Sequence, residues 1–321
     1  MQRSTPAAPS CLAVHDGRAG HARQAQALAC LLAPGAGALC LTPRPPWRWV
    51  APRLLPGAAQ GFDPGLHPLL RQPPRLAVGC GRQAALATRL LRRAGSQVVQ
   101  VLDPRLPARH WDALVVPMHD RLRGDNVLTL HGSLHPVDDR WLQHAAAAFP
   151  QGAQLPAPRT VLLVGGPTRH APLTTPAFLA LLTRLAAQTR AEGGSFSVVV
   201  SPRTPPDWAQ ALARIDPALP GLRWRGPADG PNPYAGLLAH ADRLICTPDS
   251  VNMLSEAAAT AAPLFVWQPA CVRGRPRHFL AHLLGSDRAK PLDDTLAAYP
   301  VQPLREPERI ASQLRQWLGL A

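Results

Sequence analysis

Short apolar runs recur along this chain. Each is followed by a turn containing Gly, Pro or Asp and then by a longer small-residue or amphipathic stretch. Runs of this length between such turns read as buried strands, and the stretches after them as helices. In the first half the pattern predicts strands over residues 12–14, 76–78, 98–102, 113–116 and 126–130. Helices are predicted over 24–32 and from Gly81 to Arg93. In the second half it predicts strands over 160–164, 196–200, 223–224, 243–246 and 264–267. These alternate with helices over 176–191, 207–215, 234–240, 251–261 and 277–284. A last helix, 306–318, sets Ile310, Leu314, Trp317 and Leu318 on one face, and Ile310, Leu314 and Trp317 are expected to be buried. Residues 43–74, rich in Pro, Trp and Arg, carry no period and read as an irregular excursion with a short helix; Trp47 and Trp49 there suit either a core or a lipid surface.

Strand–helix alternation in both halves predicts two α/β domains with parallel sheets. The cluster Pro150, Gly152, Pro156 and Pro158 interrupts the pattern, so the domains are expected at 1–150 and 151–321. Ligands of such sheets bind beyond the carboxyl ends of the strands, and the distinctive turns lie there.

The clearest unit is 243–267. Its turn, Thr247-Pro248-Asp249-Ser250, opens a helix whose unpaired N–H groups and positive dipole end favour an anion. Glu256, further along that helix, is suited to accept hydrogen bonds from a ribose diol. The competing reading is an N-cap, Asp249 or Ser250, followed by a solvated Glu. In the first half, His15 to His21 (HDGRAGH) and Gly79 to Gln83 (GCGRQ) are glycine turns between strand and helix. Neither has the spacing of a dinucleotide fingerprint, and no acidic residue follows where a dinucleotide ribose would need it. A dehydrogenase or epimerase with a bound dinucleotide is therefore disfavoured. His131 and His135 are four apart without an adjacent Glu, a poor metal pair whose turn would instead face a ligand.

Composition narrows the classes. A chain of 321 residues exceeds what one core usually serves. No apolar run reaches the length that crosses a bilayer. The first ten residues read as a brief disordered lead rather than a signal peptide. Six cysteines without a C-x-x-C pair suggest unpaired buried thiols in a reducing cytoplasm. The net charge is +14. Up to residue 150 there are 17 Arg against 8 acids, and after it 17 basic residues against 12. Such a surface suits phosphate-bearing ligands or the inner face of an anionic membrane, although a GC-rich genome gives the same Arg-rich, Lys-poor composition. No Arg-rich run with interleaved aromatics indicates nucleic acid.

Taken together, DGRAGH, GCGRQ, DPRLPARHWDALVVPMHD, GSLHPV, VGGPT, SPRTP, NPYAGLLAHAD and TPDSVNMLSEAAATAAPLFVW resemble, in order, the family named for a plant mitochondrial-fission factor, the "elongated mitochondria" (ELM-type) family, which has many bacterial members. That family in turn resembles glycosyltransferases of the GT-B type, especially the lipid-acceptor enzymes that build peptidoglycan precursors. The resemblance implies two Rossmann-like domains facing a cleft, with the last helix packing back towards the N-terminal domain. HDGRAGHARQAQALA resembles the N-terminal glycine loop of those enzymes, with Arg18 in place of a small residue. Its Gly17 and Gly20, with Gly81, would form the acceptor side, and His21 or Asp16 would be the general base. TPDSVNMLSEAAATAAP resembles their donor motif, with Ser250 at phosphate and Glu256 at ribose. It departs from that motif in carrying Ala261-Ala262 before the Pro.

The turn Gly165, Gly166 and Thr168 would complete the donor side. Arg169 and Arg203, each just after a strand-end turn, are candidate phosphate clamps. The expectation is a metal-independent transferase with no bound cofactor. It would move a sugar from a nucleotide-diphosphate donor to a lipid-linked or envelope acceptor, in the cytoplasm or peripherally on the membrane. The alternative is a non-catalytic, membrane-associated interaction protein of the fission-type family.

Overall fold

The computed structural model describes residues 10–62 and 65–320. The expected N-terminal lead lies outside them except for Ser10. By internal packing the chain divides into two units, one of residues up to 136 together with those from 306 onward, the other Val137–Arg305.

The first unit runs β1 (Cys11–His15), α1 (Ala19–Leu32), β2 (Gly37–Cys40), α2 (Trp47–Val50), α3 (Leu66–Arg71), β3 (Leu76–Cys80), α4 (Arg82–Ala94), β4 (Gln97–Val101), β5 (Ala113–Pro117) and β6 (Val127–Leu130). All six strands are parallel, in the order β2-β1-β3-β4-β5-β6. Alternate residues of β1 enter two different cores. Cys11 and Ala13 pack with Leu28 and Ala29 of α1, whereas Leu12 and Val14 pack with Ala84, Ala85 and Leu86 of α4. Burial on both faces is why these strands read as unbroken apolar runs. The excursion 43–74 folds against the second core through Ala51, Ala58, Phe62 and Leu66. Its Trp47 ring lies against Gly57 and Gly61, while Trp49 is 68% exposed.

The second unit runs α5 (Asp139–Ala148), β7 (Arg159–Val164), α6 (Thr175–Ala191), β8 (Ser195–Val200), α7 (Pro206–Ala211), β9 (Arg223–Trp224), α8 (Tyr234–His240), β10 (Arg243–Cys246), α9 (Val251–Ala258), β11 (Leu264–Val266), α10 (Pro276–Gly285) and β12 (Lys290–Pro291). This sheet is also parallel, in the order β12-β11-β10-β7-β8-β9. Phe178 and Trp208 stack at 4.1 Å within its core. The sequence reading put residues 137–150 with the first domain; by contact they go with this unit. Gly236 of α8 lies flush against the Phe149 ring, and His240 Nε2 is 3.1 Å from the Phe149 carbonyl, so the proline-rich stretch is anchored here.

The chain closes with α11 (Pro307–Leu318), which joins the core of the first unit through Ile310, Ala311, Leu314 and Leu318. Trp317, expected to be buried, is 44% exposed. The buried stripe is centred near Leu314 and includes Pro307 and Leu318, which leaves Trp317 at its margin. Glu306 ties the start of α11 to the loop after β6, its carboxylate accepting from the backbone N–H of His131 (2.8 Å) and Gly132 (3.2 Å).

No helix among the described residues is long and apolar enough to cross a membrane. Cys11, Cys80 and Cys246 are buried, and burial pushes the Cys11 thiol up to about 12 and raises the other two as well. Cys30 and Cys40 are exposed and Cys271 is half-buried, so the expectation of buried thiols holds for only three of the six.

Candidate functional site

In each sheet the strand order reverses at one place. In the first unit the chain leaves β1 in one direction to β2 and in the other to β3; in the second it leaves β7 towards β8 and later returns beside it as β10. The carboxyl ends of the strands flanking such a reversal form a crevice, because the two following connections diverge to opposite faces. Both sets of candidate residues fall at these places.

In the first unit the loop after β1 holds Asp16 and Gly17. His21 lies in the first turn of α1, and Gly81 follows β3. Asp16 Oδ1 is 2.8 Å from His21 Nδ1. Their side chains are 8% and 20% exposed, so the pair is largely withdrawn from solvent. Gly81 has φ +88, and a Cβ there would stand 2.5 Å from His21 Nδ1. The glycine is therefore required twice, for its backbone and for the ring it accommodates. Gly17 N–H donates to His15 Nδ1 (3.2 Å), and the Gly20 carbonyl accepts from Gln24 Nε2 (3.3 Å). Burial holds the His15 pKa below the ordinary value, against the opposing influence of Asp16.

In the second unit, loops after three strands meet. The Gly165 N–H donates to Thr247 Oγ1 (2.8 Å), and the Gly165 carbonyl accepts from Thr204 Oγ1 (2.5 Å) and Ser201 Oγ (3.3 Å). Arg203, on the same loop as Ser201 and Thr204, donates from Nη2 to Asp249 Oδ2 at 2.8 Å. Gly166 backs onto the Arg203 carbonyl. Ser250 caps α9, its hydroxyl accepting from Met253 N at 3.4 Å.

Glu256 is buried at 3% exposure and accepts from the Tyr234 hydroxyl at 2.6 Å. It is not the solvated residue that the competing reading supposed. Thr168 shapes its own turn by accepting from His170 and Ala171 N–H, and exposed Arg169 donates Nε to His170 Nε2 (3.0 Å). The structure thus joins Gly165, Gly166 and Arg203 directly, sets Ser250 beside Asp249 in sequence, and leaves Arg169 turned to its neighbour.

In the sequence Asp249 reads as part of an anion-favouring turn or as a possible cap, not as the partner of an arginine. Its side chain is fully buried and ion-paired with Arg203. A signal was present in the threonine two residues before it, directly after a buried strand. The Gly at 165 was a second one, since it removes the side chain that the carboxylate displaces.

The family model described as mitochondrial fission ELM1 matches residues 19–318. The chain belongs to the mitochondrial fission ELM1 family. It is 28% identical over 221 residues to the mitochondrial fission protein ELM1 of Arabidopsis thaliana, a match covering 60% of this chain and 51% of the plant protein. It therefore spans about half the length of that relative. It is 21% identical over 288 residues to the uncharacterized protein RP120 of Rickettsia prowazekii (strain Madrid E), covering 76% of this chain and 79% of that one.

Among solved structures, Os79 from O. sativa in complex with U2F and trichothecene aligns with a TM-score of 0.50 at 13% identity, over 95% of this chain and 90% of that one. UDP-GlcNAc 2-epimerase from Neisseria meningitidis bound to UDP-GlcNAc aligns with a TM-score of 0.50 at 12% identity, over 95% and 99%. These likenesses are of fold: this ELM1-family chain has two Rossmann-like α/β units of the GT-B type.

Proposed function

We propose that this ELM1-family protein is a glycosyltransferase. It binds a nucleotide-diphosphate sugar at the β7/β10 crevice and transfers the sugar to a lipid-linked or envelope acceptor. The observation that carries this is the convergence of the loops after β7, β8 and β10 on Gly165, with Arg203 half exposed beside the mouth of α9. The rice and Neisseria structures, which share the fold, hold U2F and UDP-GlcNAc.

In this reading a departing diphosphate meets Arg203, Ser250 and the α9 N-terminus, which stabilise its charge without a metal. Glu256 accepts from the ribose hydroxyls. Asp16 holds the proton on His21 Nδ1, leaving Nε2 to take the acceptor's proton.

Calorimetric titration with UDP, GDP, their sugars and the free nucleosides tests the donor. Binding that requires the diphosphate, followed by sugar transfer to a polyprenyl-phosphate acceptor, is the expected result. Silence across the panel at millimolar ligand would overturn it.

A second reading, a non-catalytic interaction protein recruited to membranes, is favoured by one observation. Trp49 and Leu55 are exposed within an Arg-rich excursion of the first unit. Binding to anionic vesicles together with a silent nucleotide panel would select it.

A further inference from the structure

We infer that Asp249, together with Thr247, is a positioning residue that sets Arg203 and the Gly165 turn for a diphosphate. The inference rests on the nucleotide-sugar reading of the same crevice. The Asp249 side chain is fully buried, yet Arg203, its ionic partner, is 50% exposed. A carboxylate removed from water is tolerated only when its oxygens are satisfied. Here Oδ1 accepts from Thr247 Oγ1 (2.7 Å) and Oδ2 from Arg203 Nη2 (2.8 Å).

Thr247 is itself buried, and its one hydroxyl proton is committed to Asp249. Its lone pair is thereby turned to the Gly165 N–H at 2.8 Å. The Gly165 carbonyl in turn holds Ser201 and Thr204, which flank Arg203. The circuit closes: loops after β7, β8 and β10 are each fixed by a group on another. A Cβ on Gly165 would stand 2.1 Å from Asp249 Oδ2, so the turn can approach the carboxylate only as glycine.

A guanidinium carries five donors, and Asp249 engages it from the buried side. Its outer edge remains available to a second anion, in a fixed orientation. Asp249 thus adds negative charge beneath the crevice while making the cation above it rigid. The two effects oppose each other in phosphate binding, and this makes the role measurable.

The probe is inorganic pyrophosphate, titrated calorimetrically into the full chain and into Asp249→Asn, Thr247→Val, Arg203→Met and the Asp249→Asn/Arg203→Met double variant. Melting curves confirm that each variant is folded; Thr247→Val, nearly isosteric, serves where Asp249→Asn is not. Positioning predicts that Asp249→Asn weakens pyrophosphate about tenfold although it removes a negative charge. The double variant should then bind no more weakly than Arg203→Met. Equal or tighter binding by Asp249→Asn, or losses that multiply in the double variant, would overturn the inference.

A separate arm uses the unliganded protein. The ¹⁵N resonances of the Arg203 guanidinium should be slow to exchange in the wild type and fast in Asp249→Asn. No change between the two overturns the inference. Slow exchange in a wild type that binds neither pyrophosphate nor UDP overturns the nucleotide-sugar reading instead, while upholding the hold of Asp249 on Arg203.

Discussion

His21 Nδ1 lies 2.8 Å from Asp16 Oδ1, on a ring seated against the bare Cα of Gly81. A carboxylate only accepts, so this contact requires the proton on Nδ1 and leaves Nε2 as the basic nitrogen. The arrangement depends on both neighbours, Asp16 for the tautomer and Gly81 for the ring's position.

Under the proposed transferase, Asp16→Asn should lower turnover by roughly 10²-fold or more, with nucleotide affinity unchanged. Gly81→Ala should act similarly, because its methyl would displace the ring. Steady-state kinetics separated into kcat and KM is the check. Loss confined to KM would remove His21 from the chemistry.

The helix that opens at Ser250 is fastened at its far end by a buried cation. Arg288, 4% exposed, donates from Nε to the Ala258 carbonyl (2.7 Å) and from Nη2 to those of Ala257 (3.0 Å), Thr260 (2.8 Å) and Ala262 (3.2 Å). Ala257 and Ala258 close α9, and Thr260 and Ala262 lie in the turn after it, so one guanidinium ties the helix end to that turn, and a cation there also complements the dipole. Burial lowers the guanidinium pKa to about 10, which still leaves it charged at neutral pH. Arg288→Met should destabilise the protein by roughly 3 kcal/mol through the loss of several buried hydrogen bonds from a charged donor. Chemical denaturation of the two proteins measures it.

What was legible in the sequence follows from burial. β1, β3, β5 and β7 are interior strands with both faces covered, so they announce themselves as apolar runs. β2 does not: it is an edge strand whose four residues alternate between half-buried and exposed. β12, two residues including a proline, offers less still. α5 was missed because only Ala145 of its ten residues is buried, which gives no apolar stripe. Its Asp138 cap, accepting from Trp141 N, was the available cue. The glycine turns of the candidate site were legible because close approach demands glycine. The Asp249–Arg203 pair was not, since it joins residues 46 apart through tertiary packing alone.

The last helix separates two kinds of apolar residue that sequence periodicity treats alike. Leu314 is fully buried and Trp317 is 44% exposed. Leu314→Ala should cost about 3 kcal/mol by removing buried methyl groups from a packed core. Trp317→Ala should cost less than about 1 kcal/mol despite the larger truncation, as surface changes do. Urea unfolding of the two variants gives the comparison; similar losses would mean that the indole is buried in solution.

His15 supplies a pH dependence whose sign is determined. Its folded pKa lies below the ordinary 6.5, chiefly from burial. The unfolded chain therefore takes up this proton first, and stability rises with pH across that interval. The contribution is full above pH 6.5 and is lost as pH falls through that value towards the folded pKa. His15→Asn, whose side-chain oxygen can replace Nδ1 as acceptor for Gly17 N–H, should flatten the decline. Melting temperatures between pH 5 and 8 test it; parallel curves for the two proteins would assign the decline to other groups.

The excursion of the first unit carries the proposed membrane contact. Residues 17–102 contain eleven arginines and one acid, Asp63. Within this stretch Trp49 is 68% and Leu55 45% exposed, and Leu55 also lines a cavity of about 420 Å³ with Leu54, Leu90 and Arg93. Trp47, by contrast, covers Gly57 and Gly61 and belongs to the fold. Arg82 donates to the Arg48 carbonyl (3.2 Å) and Arg89 to that of Pro52 (2.7 Å), so the excursion is pinned to α4 as a fixed surface. An indole partitions to the headgroup region, and each nearby Arg adds about 1 kcal/mol at an anionic bilayer. Without a spanning helix among the described residues, such attachment is expected to be reversible and weakened by salt. Co-sedimentation with phosphatidylglycerol vesicles should exceed that with phosphatidylcholine at low salt. Trp49→Ser and the pair Arg48→Gln, Arg53→Gln should each reduce it, with the melting temperature unchanged. Wild-type binding that is equal on both vesicles, or absent from both, would leave the arginines as a consequence of composition.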